Sequence, residues 1–184
     1  IEDITYAEQV LSSRDFYMGW GRMYKDQDIN FQCIPVSPSF LRVMGIEITD
    51  GRDFRPEDDL KENGSYIFNE KAREMYNLEL GEKIDGDEIV GFISNVKFAS
   101  FRNEVSPMTF YVWGKYRWGQ EVDSKYYAAA YVKVKAGSDL RAAMEHVRAC
   151  LTKIDPIYPF KTTFYDEILQ QTYERELKIS NLIT

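Results

Sequence analysis

The stretch Val36-Ser37-Pro38-Ser39-Phe40-Leu41, continued by Met44-Gly45-Ile46 and Gly51-Arg52-Asp53-Phe54, decides how this chain is read. Ser37 is expected to accept a backbone N–H as an N-cap, and Pro38 suits the first helical position, where no donor is needed. Gly45 supplies the left-handed residue that ends the short helix. Ile46, Glu47 and Ile48 then run extended into a turn at Asp50-Gly51. The punctuation continues through Phe68-Asn69-Glu70-Lys71-Ala72, Leu80-Gly81-Glu82-Lys83-Ile84, Ile89-Val90-Gly91-Phe92-Ile93 and Ser106-Pro107. Caps and turns dominate it, so it specifies shape rather than chemistry.

Outward from this stretch the elements alternate. Residues 1–11 read as extended, and a glycine-aromatic turn is expected at Met18-Gly19-Trp20-Gly21. Ile29, Phe31 and Cys33 alternate with polar neighbours, as a half-buried strand does. A strand is predicted at Tyr66–Phe68, then a helix from Glu70 to about Tyr76 with Asn69 as its cap. Strands follow over 88–94 and 108–113, and Asp85-Gly86-Asp87-Glu88 reads as a hairpin turn. From Tyr126 the pattern becomes strand, helix, strand. Ala128, Ala130, Val132 and Val134 share one face, and Gly137-Ser138 is expected to cap a helix. On that helix Leu140, Met144, Val147, Leu151 and Ile154 form one stripe. Asp155-Pro156 stops it, and residues 160–165 return extended, the pattern of a right-handed βαβ crossover. A last helix is predicted from Asp166 to about Ser180.

A chain of 184 residues is long enough to bury about 70% of the surface its unfolded form exposes, so it needs no staples. The net charge is −7 and the basic residues are scattered, which argues against nucleic acid as a partner. No segment approaches the roughly 20 apolar residues of a membrane span. The sequence opens at Ile1 with no Met, basic n-region or apolar h-region, which reads as an excised fragment, and the last residues, Ile179-Ser180-Asn181-Leu182-Ile183-Thr184, turn apolar. Two readings of that end stand: an ordinary amphipathic helix end, or a cut just before a transmembrane helix. Cys33 and Cys150 are too few for a disulfide framework; two buried free thiols or a single bridge both fit.

The search for chemistry yields no catalytic, metal or cofactor site. His146 is the one histidine and points away from the apolar stripe, with no second histidine or serine motif to make a triad. Neither cysteine has a ligand at zinc spacing. The acids at 85–88 lack the alternating ligands and distal glutamate of an EF-hand. No glycine-rich phosphate cradle is present. The aromatic group Trp113, Tyr116 and Trp118 is the candidate partner contact, with rings that are apolar at one end and polar at the other. The competing reading is a strand end with its rings packed over the core.

In order and spacing, the signature from Val36 to Phe110 resembles the extracytoplasmic core domain of MacB-type ABC transporter permeases, the FtsX-like superfamily. The matching positions are Val36, Ser37, Pro38 and Phe40, then Gly45 and Ile46. Gly51, Arg52 and Phe54 follow, then Asn69 and Glu70, Gly81, Gly91 and Pro107. Arg52 is expected to tie a loop through fork hydrogen bonds to carbonyls or a carboxylate. Met44 stands where the family pattern has Leu, and Glu79-Leu80-Gly81 lacks its frequent proline. The family's first strand and helix have no counterpart before Ile1.

The resemblance implies an α+β fold in two parts. A porter-like α/β subdomain would be built from residues 1–48 and 121–166, with a mixed β-rich, Sabre-like subdomain inserted over 49–120. Residues 167–184, with Tyr173 and Glu176, would form a stalk helix leading to a transmembrane span. The resemblance also implies a non-enzymatic, periplasmic part of an inner-membrane permease. ATP-driven movement would be transmitted through it for export, lipoprotein release or signalling. Its implied partners are a second permease copy, a cytoplasmic ATPase and a periplasmic adaptor. Two other classes compete with this reading: a secreted binding module that grips a glycan or peptide through the Trp113–Trp118 region, and an enzyme with carboxylate chemistry.

Overall fold

In a computed structural model the described residues are 1–11, 18–96, 105–117, 120–121 and 127–168. In chain order they form β1 (Asp3–Ala7), β2 (Gly19–Tyr24), β3 (Gln27–Pro35), α1 (Phe40–Met44) and β4 (Ile48–Gly51). A 3-10 helix at Pro56–Leu60 precedes β5 (Ser65–Asn69), α2 (Glu70–Tyr76), β6 (Lys83–Ile84), β7 (Asp87–Ile93) and β8 (Met108–Val112). The short β9 (Tyr116–Arg117) and β10 (Gln120–Glu121) pair with each other, and β11 (Ala129–Lys133) and α3 (Leu140–Ile154) follow. The chain divides into two compact units, Thr5–Tyr131 and Ile1–Ile4 with the chain from Val132 onward. β1 pairs with β11, and the division runs through both strands.

The larger unit is built on one mixed sheet of order β2-β3-β8-β5-β7-β4, with β6 also on β7. β3 runs parallel to β8 and β5 parallel to β7, while the remaining pairs are antiparallel. Successive side chains of a strand point to opposite faces. Here both faces are covered. Phe31 packs on Tyr66 and Phe68, and Tyr66 on Tyr111, on one side. Phe110, on the other, lies 5.5 Å from Phe40 of α1. Strands buried on both faces read as continuous apolar runs, which is why β5, β7 and β8 are legible at 66–68, 88–94 and 108–113. Each fully buried Phe or Ile contributes about 1.5–3 kcal/mol relative to exposure.

The sheet curls until its first strand meets the β6–β7 hairpin. Arg22 on β2 pairs with Asp85 at 3.3 Å, and the Tyr24 hydroxyl donates to Glu82. Lys25 lies 2.8 Å from the same Glu82. Trp20, Ile29, Cys33, Tyr111 and Trp113 sit in the enclosed cluster.

Several sequence expectations are corrected here. Residues 18–21 are not a turn: residues 19–24 are β2, paired along its length with β3. The two-residue connection is Lys25-Asp26, both at positive φ (47° and 61°), as a type I′ hairpin requires. Lys and Asp are not the Asn-Gly signal of such a turn, so the hairpin is silent in the sequence. Across the expected boundary at residue 49, β3 is hydrogen-bonded to β8, so β2 and β3 share one sheet with β4 to β8.

In the smaller unit, the cap of α3 is Asp139 rather than Gly137-Ser138; its Oδ1 accepts the Ala142 N–H at 3.0 Å. Met144, Val147 and Leu151 of the stripe are half-buried, while Leu140 and Ile154 stay exposed. Residues 160–164 form no strand. A strand needs a neighbour for its ladder. Among the described residues none is there, so the crossover's second strand is not formed. The final helix begins with a turn at 165–168, and the rest of its expected span lies outside the described residues.

Glycine relieves the cost of positive φ that an L-residue carries. Asp26→Gly should therefore raise stability by about 0.5–1 kcal/mol in urea denaturation. No gain would show that the Lys25-Asp26 turn is already unstrained.

Candidate functional site

Three signature residues, Gly51, Arg52 and Gly91, meet at the seam of β4 and β7. Gly51 faces Gly91 across the two strands. A Cβ on Gly91 would lie 2.5 Å from the Arg52 carbonyl oxygen, and one on Gly51 would lie 2.5 Å from that of Val90. Gly51 also holds φ at +79°. Two backbones touch here with no room for side chains, and the Arg52 N–H donates to Val90 O at 3.0 Å.

That contact delivers Arg52 to Asp58 in the 3-10 helix. The guanidinium makes a fork, Nη1 to Oδ2 at 2.7 Å and Nη2 to Oδ1 at 2.9 Å. Nη1 also donates to the Asp53 carbonyl at 3.0 Å. The Asp58 side chain is 1% exposed; it also accepts from Lys61 at 2.9 Å and from the Arg55 N–H at 2.9 Å. Burial alone would raise its pKa. The donors from Arg52, Lys61 and Arg55 outweigh burial and hold the carboxyl at about 2, below the usual 3.8. Phe54 follows two residues on and is buried.

The other signature residues make ties of the same kind. Asn69 caps α2 through Ala72 N–H at 3.0 Å. Its Oδ1 also accepts from Met108 N–H at 3.1 Å, and its Nδ2 donates to Ser106 O at 3.0 Å. Helix α2 is thereby pinned to the start of β8. Glu70 accepts the Thr49 hydroxyl at 2.9 Å, joining α2 to β4. The Pro107 carbonyl accepts from Gln32 N–H at 2.9 Å, starting the β3–β8 pair. Gly45 closes α1 at φ +70°, and Gly81 sits in the turn before β6 with its N–H on Ile89 O at 2.8 Å.

Ser37 is not the cap of α1. The helix starts at Phe40, with Pro38 in the preceding turn and Ser39 at the cap position, making no side-chain cap bond. The Ser37 hydroxyl turns instead to β1, accepting from the Tyr6 N–H at 3.1 Å and lying 2.8 Å from the Thr5 hydroxyl. The local pattern offered a cap. The buried Thr5 hydroxyl, far away in sequence, took the oxygen.

The aromatic group does not form one exposed patch. Trp113 is 7% exposed, packs 5.4 Å from Trp20 and 4.9 Å from Tyr111, and donates its Nε1–H to Glu8 Oε1 at 2.8 Å. It is a core residue. Tyr116 is 41% exposed on β9, and Trp118 lies outside the described residues.

Among the described residues no three metal-ligating side chains cluster. His146 faces Cys150 at 3.7 Å on the exposed side of α3. Both cysteines are free; Cys33 is buried, which pushes its thiol well up, whereas Cys150 is exposed rather than buried. Asp85-Gly86 is a hairpin turn, with both residues at positive φ. An open groove of about 520 Å³ between α3 and residues 162–167 has Leu140, Met144 and Phe164 among its walls, with Arg141, Glu145 and Arg148.

No protein-family model matches the chain, and no curated protein matches it in sequence. Solved structures do. The periplasmic region of MacB from Actinobacillus actinomycetemcomitans aligns at TM-score 0.65 and 13% identity, over 93% of this chain and 75% of that one. The extracellular domain of YknZ, a noncanonic ABC-type transporter from Gram-positive bacteria, aligns at 0.57 and 13% identity, over 84% of this chain and 76% of that one. A domain of a putative permease protein from Porphyromonas gingivalis aligns at 0.54 and 15% identity, over 83% of this chain and 64% of that one. This chain has the α+β fold of the MacB periplasmic region.

Gly91→Ala should destabilise the protein by roughly 2–4 kcal/mol, because the clash is with backbone and cannot be relieved by a rotamer. An unfolding midpoint within error of the parent would refute the contact. The depressed Asp58 pKa gives a signed pH effect. Its stabilisation, on the order of 2 kcal/mol, is complete above the unfolded value of 3.8 and is lost as pH falls through 2. Urea titrations of the parent and Asp58→Asn should therefore differ most at neutral pH and converge between pH 4 and 2. A gap that does not narrow would count against the fork.

Proposed function

We propose that this chain is the extracytoplasmic domain of an ABC-type permease subunit, a mechanical part and not an enzyme. The likeness to the MacB periplasmic region over 93% of the chain carries this reading. Two further transporter domains of the same fold support it. The signature residues support it as well: they act as backbone ties between elements, and stiffness is what a transmitting domain needs. In this reading ATP is hydrolysed on another subunit or domain inside the cell. The movement passes through residues 167–184 as a stalk, and a second permease copy, the ATPase and a periplasmic adaptor are the partners. Export, lipoprotein release and signalling are the outputs such a part serves. The binding-module reading loses its anchor, because Trp113 is spent on the core.

The test uses the full-length parent protein in its membrane. Protease added outside intact spheroplasts should cleave this domain, and the parent purified in detergent should bring an ATPase subunit with it or carry an ATPase domain. A domain protected until the cells are lysed, or a parent that stays in the soluble fraction, would overturn the reading.

A further inference from the structure

The chain has one histidine and two cysteines. Cys33 is buried, whereas His146 and Cys150 stand together on the exposed face of α3. His146 Nε2 lies 3.7 Å from Cys150 Sγ. Residues four apart are neighbours on a helix surface, so the pair is set by the helix itself and by no distant contact. The 15-residue helix is capped by Asp139, which fixes its start six positions before His146's turn closes on Cys150. The remaining three- and four-residue neighbours of His146 are Ala142, Ala143 and Ala149. Side chains that short leave the imidazole and the thiol accessible.

The separation is that of a chelate. A tetrahedral ion bound by imidazole nitrogen at about 2.0–2.1 Å and by thiolate sulfur at about 2.3 Å holds its two donors roughly 3.6 Å apart. The competing reading of the distance is a thiol–imidazole hydrogen bond, which gains little where both groups can bond to water. Imidazole with thiolate suits zinc and ions like it, while calcium and magnesium take oxygen donors. We infer that His146 and Cys150 chelate Zn²⁺ or a chemically similar divalent cation. The imidazole ligates through Nε2 and keeps its proton on Nδ1. The Cys150 thiol gives its proton to water as the metal–sulfur bond forms. Among the described residues no third histidine, cysteine or acid joins them, so two positions on the ion are left for water or for donors from another molecule. The inference concerns α3 alone and does not depend on the permease reading.

The test titrates the reduced, untagged chain with Co²⁺ and then with Zn²⁺, in the absence of air. A thiolate-to-cobalt charge-transfer band should grow, and Zn²⁺ should bleach it. Cys150→Ser should remove the band. His146→Ala should weaken cobalt binding by about tenfold or more, since even partners outside the ligand set are worth that much. Both side chains are exposed, so both variants should keep the parent's unfolding midpoint. As a second readout, Zn²⁺ should slow alkylation of Cys150, followed by peptide mass spectrometry, in the parent but not in His146→Ala. Absence of the band, a band that survives Cys150→Ser, or a cobalt affinity indifferent to His146→Ala would each overturn the inference. Equal protection of Cys150 by Ca²⁺ would do so as well, and would leave the pair a hydrogen bond only.

Discussion

The seam between β4 and β7 is made by two residues that have no side chains. Gly51 and Gly91 let β4 lie against β7 at a separation that a single methyl group would forbid. From that seam the rest of the larger unit is placed. It aims Arg52 at Asp58, which fixes the 3-10 helix. It also turns Phe54 inward and brings Thr49 within reach of Glu70 on α2. The apolar clusters supply the bulk of the free energy, as burial does in any domain. They are adaptable in detail, whereas a carbonyl oxygen 2.5 Å from where a Cβ would stand is not. Position here is set by backbone contact, and burial follows it.

Legibility in the sequence tracks the range of the interaction that decides each element. β5, α2, β7 and β8 could be read closely because apolar runs and an Asn cap are local signals. The roles of Arg52 and Asn69 were readable as types: a fork to a carboxylate and a helix cap. Their partners were not. Nothing within the sequence of Asn69 points to Ser106 and Met108, which are brought there by the β5–β8 pairing. Ser37 failed as a cap for the converse reason, since its hydroxyl had a better offer from a distant strand. β2 was hidden by a turn without glycine, and among the described residues the strand expected over 160–165 has no partner strand to make it one.

At the level of the site, the signature was read as scaffold, and Gly51, Gly91, Arg52 and Asn69 sit in contacts between elements. The aromatic trio shows the limit of composition. Trp113 has a tryptophan's appetite for contact, but one strand's alternation turns it into the core beside Trp20. Exposure is a property of the register, and register is not written in the identity of a residue. By contrast, His146 and Cys150 carry no signal taken one at a time. They become a pair only once α3 sets their donor atoms 3.7 Å apart.

The division of the chain has a temporal side. The larger unit is one continuous segment, whereas the smaller joins residues 1–4 to the chain beyond Val132. On the ribosome the larger unit is therefore complete while all of its neighbour but residues 1–4 has yet to be synthesised. Those residues wait longest for their partner: the Glu2 N–H donates to Lys133 O at 2.8 Å. Closing so long a loop is slow for a free chain, and a folded segment between its ends shortens the search. Until Val132 and the residues after it have been made, the start of β1 is thus a strand without its β11 partner, the interval in which a chaperone or a wrong strand would find it.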